Sequence, residues 1–409
     1  MGDVQEANFK PKTIWTGDNL LIMRRMNSAC VDLIYLDPPF NSNRNYAAPI
    51  GSEAADAEFK DTWSLSDIDE EWIDLLEEQY PKLYRILLAA MSDSDKSYLC
   101  YMAIRLLEME RVLKPTGSIF LHCDPTMSHY LKLMMDAIFG KKNLRNEILW
   151  CYTGPGSPHM RQFNRKHDSI FWYSKGDTWT FNKDKARAPY KDPKQKPRKA
   201  YDTGGAFEDE AIEEMRERGK IRENWWSDIA LAVRSKKENL KYPTQKPIKL
   251  LNRIIEVASN PGDMVMDPFC GCATTLASAD NLQRDWVGID VSPVATKLVK
   301  KRIKTQQGLF LEIVTRDDIP QRTDMGKLPP YKSHKKTLYG EQEGKCKGCK
   351  DWFKAGVMDV DHIIAVSKGG TDDIENLQLL CRECNGIKGN RGMGYLVQKL
   401  RLDEKELRL

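Results

Sequence analysis

A short acidic, proline-containing segment is the first place where residue type and spacing indicate chemistry. The apolar run 31–36 ends at Asp37-Pro38-Pro39-Phe40, and prolines cannot extend a central strand, so the segment lies at a strand end. The Asp37 carboxylate and the Pro38 carbonyl can accept the two protons of an exocyclic amine, which favours its pyramidal, attacking form. Paired prolines hold that carbonyl rigidly, and Phe40 offers a ring for an extruded base. The alternative is a proline-capped strand with a core phenylalanine.

A second candidate site follows the predicted strand 264–267. Residues 267–275 read Asp-Pro-Phe-Cys-Gly-Cys-Ala-Thr-Thr, and small residues at a strand end let the backbone approach a ligand closely. The next strand, 286–289, leads to Asp290, whose carboxylate can accept hydrogen bonds from both hydroxyls of a ribose. Tight packing is the alternative for the loop alone. Because a full GxGxxG pattern is missing, dinucleotide binding is less favoured.

Two Cys-x-x-Cys pairs stand near the C-terminus. Cys346 with Cys349 and Cys381 with Cys384 are about thirty residues apart, and four thiolates at such spacing close a tetrahedral structural zinc site. Zinc is favoured over disulfides because no secretory leader is evident, which predicts a cytoplasmic, reducing location.

The elements that must position these residues alternate along most of the chain. Apolar runs and helical spacing predict strands and helices in turn. The main predicted strands are 31–36, 118–123, 146–152, 169–173, 264–267 and 286–289. Alternation with helices such as 97–113 and 247–259 predicts a parallel, doubly wound α/β sheet. Between 181 and 241 the periodicity fades, which indicates a functional or mobile insertion.

Composition limits the classes of protein that fit. Hydrophobic residues make up 41% of the 409 residues and charged residues 30%, as in soluble globular proteins. No apolar run is long enough to span a bilayer, so no membrane partner is predicted. The net charge of +4 does not by itself indicate nucleic acid. The basic run 183–199 is either a solvated loop or a phosphate-contacting surface.

Residues from about Thr13 to Arg316 resemble the amino-methylating DNA methyltransferases of the circularly permuted β class. In that class a DPPY/F motif precedes the cofactor loop, as Asp37 precedes Phe269 here, and the segments 17–19 (Gly-Asp-Asn) and 242–247 (Tyr-Pro-Thr-Gln-Lys-Pro) also match. The resemblance implies methyl transfer from S-adenosylmethionine to an exocyclic base nitrogen in double-stranded DNA. Asp37 at the first motif position favours adenine N6, and cytosine N4 is the alternative. C5-cytosine methylation is disfavoured because no Pro-Cys nucleophile is found.

The resemblance also assigns residues. Asp37, Pro38, Pro39 and Phe40 become catalytic, and residues from about 154 to 241 become the target-recognition region. The implied cofactor-binding residues are Asp18, Asp37, Thr244, Lys246, Asp267, Phe269, Gly271 and Asp290. Members of the class are often dimers, which predicts a homodimer.

Two departures from the family pattern stand out. Ala273 replaces the second loop glycine, and we expect cofactor binding to survive because alanine costs little unless φ is positive there. Phe40 replaces the commoner tyrosine, and stacking requires only the ring.

The C-terminal segment resembles the HNH nuclease family, a ββα fold that holds one catalytic divalent metal. The resemblance implies that His362 activates water, that Asn376 orients it, and that Asp361 and Asn385 hold Mg²⁺ or Mn²⁺. A zinc-stapled module that binds DNA without cutting it is the alternative. The predicted division is methyltransferase 1–316, linker 317–336, HNH domain 337–394 and C-terminal helix 395–409.

The sequence therefore predicts a Rossmann-like, doubly wound methyltransferase sheet with a target-recognition insertion, plus a small zinc-stapled ββα domain. The predicted function is adenine-N6 methylation of DNA with a fused HNH endonuclease, serving restriction-modification or phage defence in a prokaryotic cell or phage. An N4-cytosine methyltransferase, or an orphan methyltransferase with a DNA-binding HNH-like unit, are the alternatives.

Overall fold

The structure is a computed structural model of the chain, and it divides into two compact units. One unit comprises Met1–Asn19, Ala29–Asp61 and Glu110–Asp318, and the other comprises Leu20–Ser28, Thr62–Met109 and Ile319–Leu409. The residues that the structure describes are 6–42, 46–47, 58–59, 61–63, 73, 76–77, 79–154, 161–190, 209–235, 238–242, 244–307, 313–324 and 330–406.

A mixed sheet forms the centre of the first unit. Within the described residues it has nine strands in the order β10-β6-β7-β5-β2-β11-β12-β1-β13. Their bounds are β1 Thr13–Thr16, β2 Val31–Leu36, β5 Leu113–Cys123, β6 Leu144–Cys151, β7 His167–Ser174, β10 Trp225–Trp226, β11 Met264–Asp267, β12 Asp285–Asp290 and β13 Val314–Arg316. Two short antiparallel pairs lie outside this sheet, β3 (Tyr46–Ala47) with β4 (Glu58–Phe59) and β8 (Arg187–Ala188) with β9 (Lys220–Ile221).

The sheet is α/β as predicted, but it is not wholly parallel. Strand β7 pairs antiparallel with both β5 and β6. In the run β2-β11-β12-β1, each strand pairs parallel with its neighbour in the sheet. The reason is local. A parallel neighbour needs a crossover, usually a helix, and the sequence between β6 and β7 has no helical periodicity. The consecutive strands 144–151 and 167–174 therefore return antiparallel.

Helices complete the first unit. They are α4 (Ser128–Met135), α5 (Asp209–Arg218), α6 (Ile248–Ala258), α7 (Thr274–Asn281) and α8 (Pro293–Gln307). Helix α6 shows why they pack. Leu250, Leu251, Ile254 and Ile255 recur at helical spacing and are all buried, so one apolar face covers the sheet. The same core contains Trp150 from β6 and Trp286 from β12.

The second unit contains α1 (Asn19–Arg24, from Leu20 onward), α2 (Pro81–Leu88), most of α3 (Asp93–Val112) and a C-terminal ββα module. In that module β14 (Met358–His362) pairs antiparallel with β15 (Leu377–Cys381), followed by α10 (Arg382–Lys388). Helix α9 (Lys335–Glu341) precedes the hairpin, and α11 (Met393–Glu406) begins two residues before the predicted tail helix.

Part of the segment predicted as a linker is hydrogen-bonded within this unit. The Asn27 side chain pairs reciprocally with Thr323, through Nδ2 to Oγ1 at 2.8 Å and Oδ1 to the Thr323 amide at 2.8 Å. The Ser28 amide donates to Asp324 at 2.7 Å, and the Arg25 guanidinium donates to the Gly370 carbonyl at 3.0 Å.

Within the described part of the chain, every helix is too short or too polar to cross a bilayer.

Candidate active sites

Three acidic residues predicted from sequence meet at one edge of the sheet. Asp37 follows β2, Asp267 ends β11 and Asp290 ends β12. These strands are parallel neighbours, so their carboxyl ends lie side by side, where ligands bind in α/β sheets.

Asp37 is held by Lys246, whose Nζ lies 2.5 Å from Oδ2. The side chains are only 17% and 8% exposed, respectively. The other carboxylate oxygen, Oδ1, is buried and has no hydrogen-bond partner among the described residues. An unpaired buried acceptor costs about 1–3 kcal/mol, so its presence at a predicted catalytic residue points to a ligand that supplies the missing donor.

Phe40 stands beside this pair and is partly exposed. Its ring stacks on the His122 ring, with centroids 6.1 Å apart and an interplanar angle of 25°. The Lys246 ammonium lies 5.1 Å from the Phe40 centroid. The residues predicted to contact a target base are therefore in one place, and Lys246, predicted to bind cofactor, contacts Asp37.

Asp290 organises the loop that follows β11. Its two oxygens accept hydrogen bonds from the amides of Gly271 and Ser292, each at 2.8 Å. Burial raises the pKa of Asp290, and these two amide hydrogen bonds oppose that shift. A carboxylate offers about four acceptor positions, so capacity remains for the hydroxyls of a ribose. Gly271 has φ of +46°, and a Cβ there would lie 3.2 Å from the Tyr242 ring.

Asp267 stabilises the turn before that glycine. Its Oδ1 accepts from the Phe269 amide at 3.1 Å. Burial raises the pKa of Asp267 to about 7, although hydrogen bonds from Thr275 and Phe269 act in the opposite direction. Its contacts are those of a buried group that shapes the loop.

Ala273 meets the condition under which alanine is costly. Its φ is 61° and ψ 36°, in the left-handed region, at the N-cap of α7. A non-glycine residue there costs about 1–2 kcal/mol. The condition under which alanine costs little therefore does not hold here, and survival of cofactor binding stays a prediction.

The Gly17–Asn19 segment joins the same edge. The Gly17 amide donates to the Asp290 carbonyl at 2.9 Å, and Asn19 Nδ2 donates to the Pro268 carbonyl at 2.7 Å. Asp18, between them, is exposed, as is Thr244, whose carbonyl lies 3.3 Å from Lys246 Nζ. Pro38 and Pro39 follow β2 as predicted, and Pro243 lies outside the described residues.

Four residues of a buried polar network were missed by sequence reasoning: Tyr35, His122, Tyr152 and Asp168. His122 Nδ1 lies 2.7 Å from the Tyr35 hydroxyl, and Nε2 lies 3.0 Å from Asp168 Oδ2. The Tyr152 hydroxyl donates to Asp168 Oδ1 at 3.0 Å. The available clue was a histidine inside the apolar strand pattern Ser-Ile-Phe-Leu-His-Cys.

The four cysteines of the C-terminal module come together. Their sulfur atoms all lie within 4.8 Å of one another. The Cys381 amide donates to Cys346 Sγ at 3.2 Å, and the Cys384 amide donates to Cys381 Sγ at 3.4 Å. Burial, and then the neighbouring Cys346 sulfur, raise the pKa of Cys349 to about 12, so a bound cation is what would hold all four as thiolates. The cluster fits a zinc-stapled HNH domain.

His362 ends β14, and a carboxylate contacts its ring. Nε2 lies 2.8 Å from Asp372 Oδ1, and the Tyr331 ring centroid is 5.0 Å away. The adjacent Asp361 accepts through Oδ2 from Gln378 at 2.9 Å and forms an ion pair with the buried Lys388 ammonium at 3.1 Å.

Asn376 secures the loop between the two strands. Its side chain accepts from the Ile364 amide at 2.9 Å and donates to the carbonyls of Ile364 and Thr371 at 3.0 and 2.9 Å. Among the described residues none of its hydrogen bonds reaches His362, whose partner is Asp372. Asn385 lies partly exposed on α10, and outside the four cysteines the described residues contain no group of three or more histidine, cysteine or acidic side chains placed to hold a metal.

Comparison with known proteins defines the class. Residues 31–301 match the DNA methylase family and residues 346–391 match the HNH endonuclease family. Since the first match covers more than half of the chain, the protein belongs to the DNA methylase family, and an HNH domain follows in the same chain.

Individual relatives are distant. The chain is 25% identical to the Type II methyltransferase M.EcaI of Enterobacter cloacae, over 71% of this chain and 68% of that protein. It is 28% identical to the Type II methyltransferase M.BamHI of Bacillus amyloliquefaciens, over 72% of this chain and 57% of that protein. It is 26% identical to the DNA adenine methyltransferase YhdJ of Escherichia coli, over 71% of this chain and 82% of that protein.

Proposed function

We propose that the protein methylates adenine N6 in double-stranded DNA, with S-adenosylmethionine as methyl donor. The observation that carries the proposal is the buried Oδ1 of Asp37, which has no hydrogen-bond partner among the described residues, while the Phe40 ring and Asp37 contact the same Lys246 ammonium. An acceptor without a donor, next to an aromatic surface, fits an extruded base whose amine supplies the hydrogen. Membership of the DNA methylase family and the name of the relative YhdJ support DNA and adenine, respectively.

The residues at the sheet edge fit the cofactor. Asp290 would accept hydrogen bonds from the ribose hydroxyls, and the positive φ of Gly271, with the Tyr242 ring 3.2 Å from where a Cβ would lie, favours glycine in this loop. When bound, S-adenosylmethionine supplies a methyl group on a positively charged sulfur, ready for displacement.

Asp37 and Pro38 then act on the amine. Asp37 Oδ1 and the Pro38 carbonyl would accept hydrogen bonds from its two N–H groups, which localises the nitrogen lone pair. The Lys246 ammonium occupies Oδ2 of Asp37, which leaves Oδ1 as the acceptor for the amine. The carboxylate would also stabilise the positive charge that develops on nitrogen as the N–C bond forms, and offers an acceptor for the proton that the nitrogen loses.

The test is methyl incorporation followed by nucleoside analysis. DNA incubated with labelled S-adenosylmethionine should yield N6-methyladenine with the wild-type protein and none with Asp37→Ala. Asp177→Ala, a change in an exposed ion pair with Lys142, is the matched control. Label retained by Asp37→Ala would refute the catalytic assignment. Detection of N4-methylcytosine in place of N6-methyladenine would show that cytosine is the target base. Sequencing the methylated DNA then maps the recognition site.

A second function, cleavage of DNA by the HNH domain, is favoured by the contact between His362 and Asp372. If Nε2 donates to Asp372, Nδ1 is the unprotonated nitrogen and can take a proton from water. Asp361, proposed with Asn385 to hold Mg²⁺ or Mn²⁺, already has the Lys388 ammonium as a cation partner.

Nicking of supercoiled DNA in Mg²⁺ or Mn²⁺ tests cleavage. Nicking should disappear in His362→Ala and persist in His129→Ala, a change at an exposed position on α4. Absence of cutting of methylated and unmethylated DNA by the wild type would instead support a DNA-binding module. The two activities together would serve restriction-modification or phage defence, and a cytoplasmic homodimer stays a prediction.

A further inference from the structure

We propose that His122 is a positioning residue for the target base, because it holds the Phe40 ring in the orientation on which the base stacks. This inference rests on the proposed function, since it concerns the same site. His122 contacts neither of the atoms predicted to accept the amine protons, so its effect would pass through Phe40.

The His122 ring is tied at both nitrogens. The residue is fully buried near the end of β5, with Nδ1 2.7 Å from Tyr35 Oη and Nε2 3.0 Å from Asp168 Oδ2. The three residues come from three adjacent strands, β2, β5 and β7. A rotation of the ring would leave buried polar groups unpaired, at about 1–3 kcal/mol each, so its plane is defined.

The charge on the network sets the tautomer. Burial acts to raise the pKa of Asp168, but the hydrogen bond from His122, the Lys246 charge and the hydrogen bond from Tyr152 lower it below its ordinary value. An ionised Asp168 accepts from Nε2–H of His122. Burial, followed by the nearby Asp37, raises the pKa of Tyr35, so its hydroxyl stays protonated and can donate to Nδ1. In this arrangement the Tyr35 hydroxyl, both ring nitrogens of His122 and the Asp168 carboxylate are all hydrogen-bonded.

The network supports the Phe40 ring through the His122 ring that stacks on it. The Phe40 and His122 rings are nearly parallel at 25°, and the Trp150 and His122 rings are perpendicular, with centroids 5.8 Å apart and an angle of 89°. Trp150 is itself buried and its indole nitrogen donates to the Ile229 carbonyl at 2.9 Å. Phe40 therefore rests on a ring that is immobilised by hydrogen bonds on two sides and by packing on a third.

The consequence concerns the chemical step more than cofactor binding. Asp290, Gly271 and Asp267 lie at the ends of β11 and β12, and none of the contacts of His122 reaches them. A misplaced Phe40 would let the base sit out of line with Asp37, and a displacement of about 1 Å can reduce a rate by about 10²-fold.

The experiment compares His122→Leu with His122→Gln. Three quantities are measured: kcat for methyl transfer, the Kd for S-adenosylmethionine without DNA, and the fluorescence of a duplex with 2-aminopurine at the mapped target position. His122→Leu should lower kcat by about 10²-fold and reduce the fluorescence gain on binding, with cofactor Kd unchanged. His122→Gln should recover part of both, because its amide can accept from Tyr35 and donate to Asp168.

A matched pair of tyrosine variants separates the network from general packing. Tyr35→Phe removes the hydroxyl that contacts His122, and Tyr173→Phe removes one that donates to Asp136 at 2.7 Å, away from this network. We expect only Tyr35→Phe to reduce kcat and fluorescence.

Wild-type kcat and fluorescence in His122→Leu would overturn the inference, as would equal losses in both tyrosine variants or a parallel loss of cofactor binding. Methylation of cytosine N4 by the wild type would refute the proposed function, whereas a wild-type kcat in His122→Leu would refute only the inference.

Discussion

Asp37 and Asp361 each lie at the end of a strand beside a residue predicted to do chemistry, but their carboxylates have different surroundings. Asp37 contacts Lys246 through one oxygen, and its other buried oxygen has no partner among the described residues. Asp361 accepts from Gln378 and forms an ion pair with the buried Lys388, which donates to the His362 carbonyl at 2.9 Å. The first carboxylate keeps acceptor capacity for a substrate, whereas the second holds α10 against the hairpin of its own domain.

Among the variants that test this contrast, the largest effect should come from a substitution in the four-cysteine cluster. Cys381→Ser removes one of four thiolates, and structural zinc contributes an apparent 10–16 kcal/mol, so zinc content should fall to background and the HNH domain should become protease-sensitive. Metal analysis and limited proteolysis measure this. Cys151→Ser, outside the cluster, should leave both unchanged, and full zinc content in Cys381→Ser would rule out a four-cysteine site.

Lys388→Met tests whether Asp361 is mainly structural. Breaking a buried ion pair by removing one partner costs about 3–5 kcal/mol, and Lys388 is 1% exposed. We expect the unfolding free energy of the HNH domain to fall by that amount in denaturant titrations. Lys345→Met, an exposed lysine paired with Glu343, should change it by less than about 1 kcal/mol. Equal effects would remove the contrast between the two sites.

Lys246→Met tests the ion pair of Asp37, the carboxylate proposed to be functional. Without the ammonium, Asp37 loses its described partner, and we expect kcat for methyl transfer to fall by about 10²-fold, as for loss of one preorganised charged contact. Lys249→Met, in the same segment but exposed, is the control. An unchanged kcat would mean that Lys246 serves only to fold the loop.

Asp267 predicts a pH dependence of stability. Its pKa of about 7 in the folded protein lies above the ordinary 3.8, so the folded state binds a proton that the unfolded state has lost. The contribution of Asp267 to stability therefore falls as pH rises from about 4 to about 7, by about 1.4 kcal/mol per pH unit. Urea titrations at pH 5 and pH 7 should show that the unfolding free energy decreases less between these pH values in Asp267→Asn than in wild type. Identical decreases would contradict the raised pKa.

The smallest effect should come from Ala273→Gly. Relief of the left-handed alanine is partly offset by the greater unfolded-state entropy of glycine, so we expect a gain below about 1 kcal/mol. Ala279→Gly, inside α7, should instead lose about 1 kcal/mol. Thermal melts of the two variants provide the comparison, and a loss in both would show that the Ala273 methyl packs more favourably than its backbone is strained.

Much of the methylation site could be predicted because its parts are local. Asp37 and Asp290 were placed at strand ends by apolar runs and prolines, and parallel pairing brings such ends together. The antiparallel β7 could not be derived from strand periodicity, which is the same for either direction. His122 and Asp168 also escaped prediction, because a polar residue in a buried strand reveals its partner only when the sheet is assembled.

The sequence by itself determined which residues can do chemistry and which segments carry them, because proline, strand periodicity and Cys-x-x-Cys spacing act over a few residues. Only the tertiary structure decided the partners. Lys246 is 209 positions from Asp37, and His122 is 46 positions from Asp168. Lys388 on α10 pairs with the carboxylate of Asp361 on β14. Such pairs depend on strand order and packing, which place distant side chains within hydrogen-bonding distance and set the positive φ of Ala273.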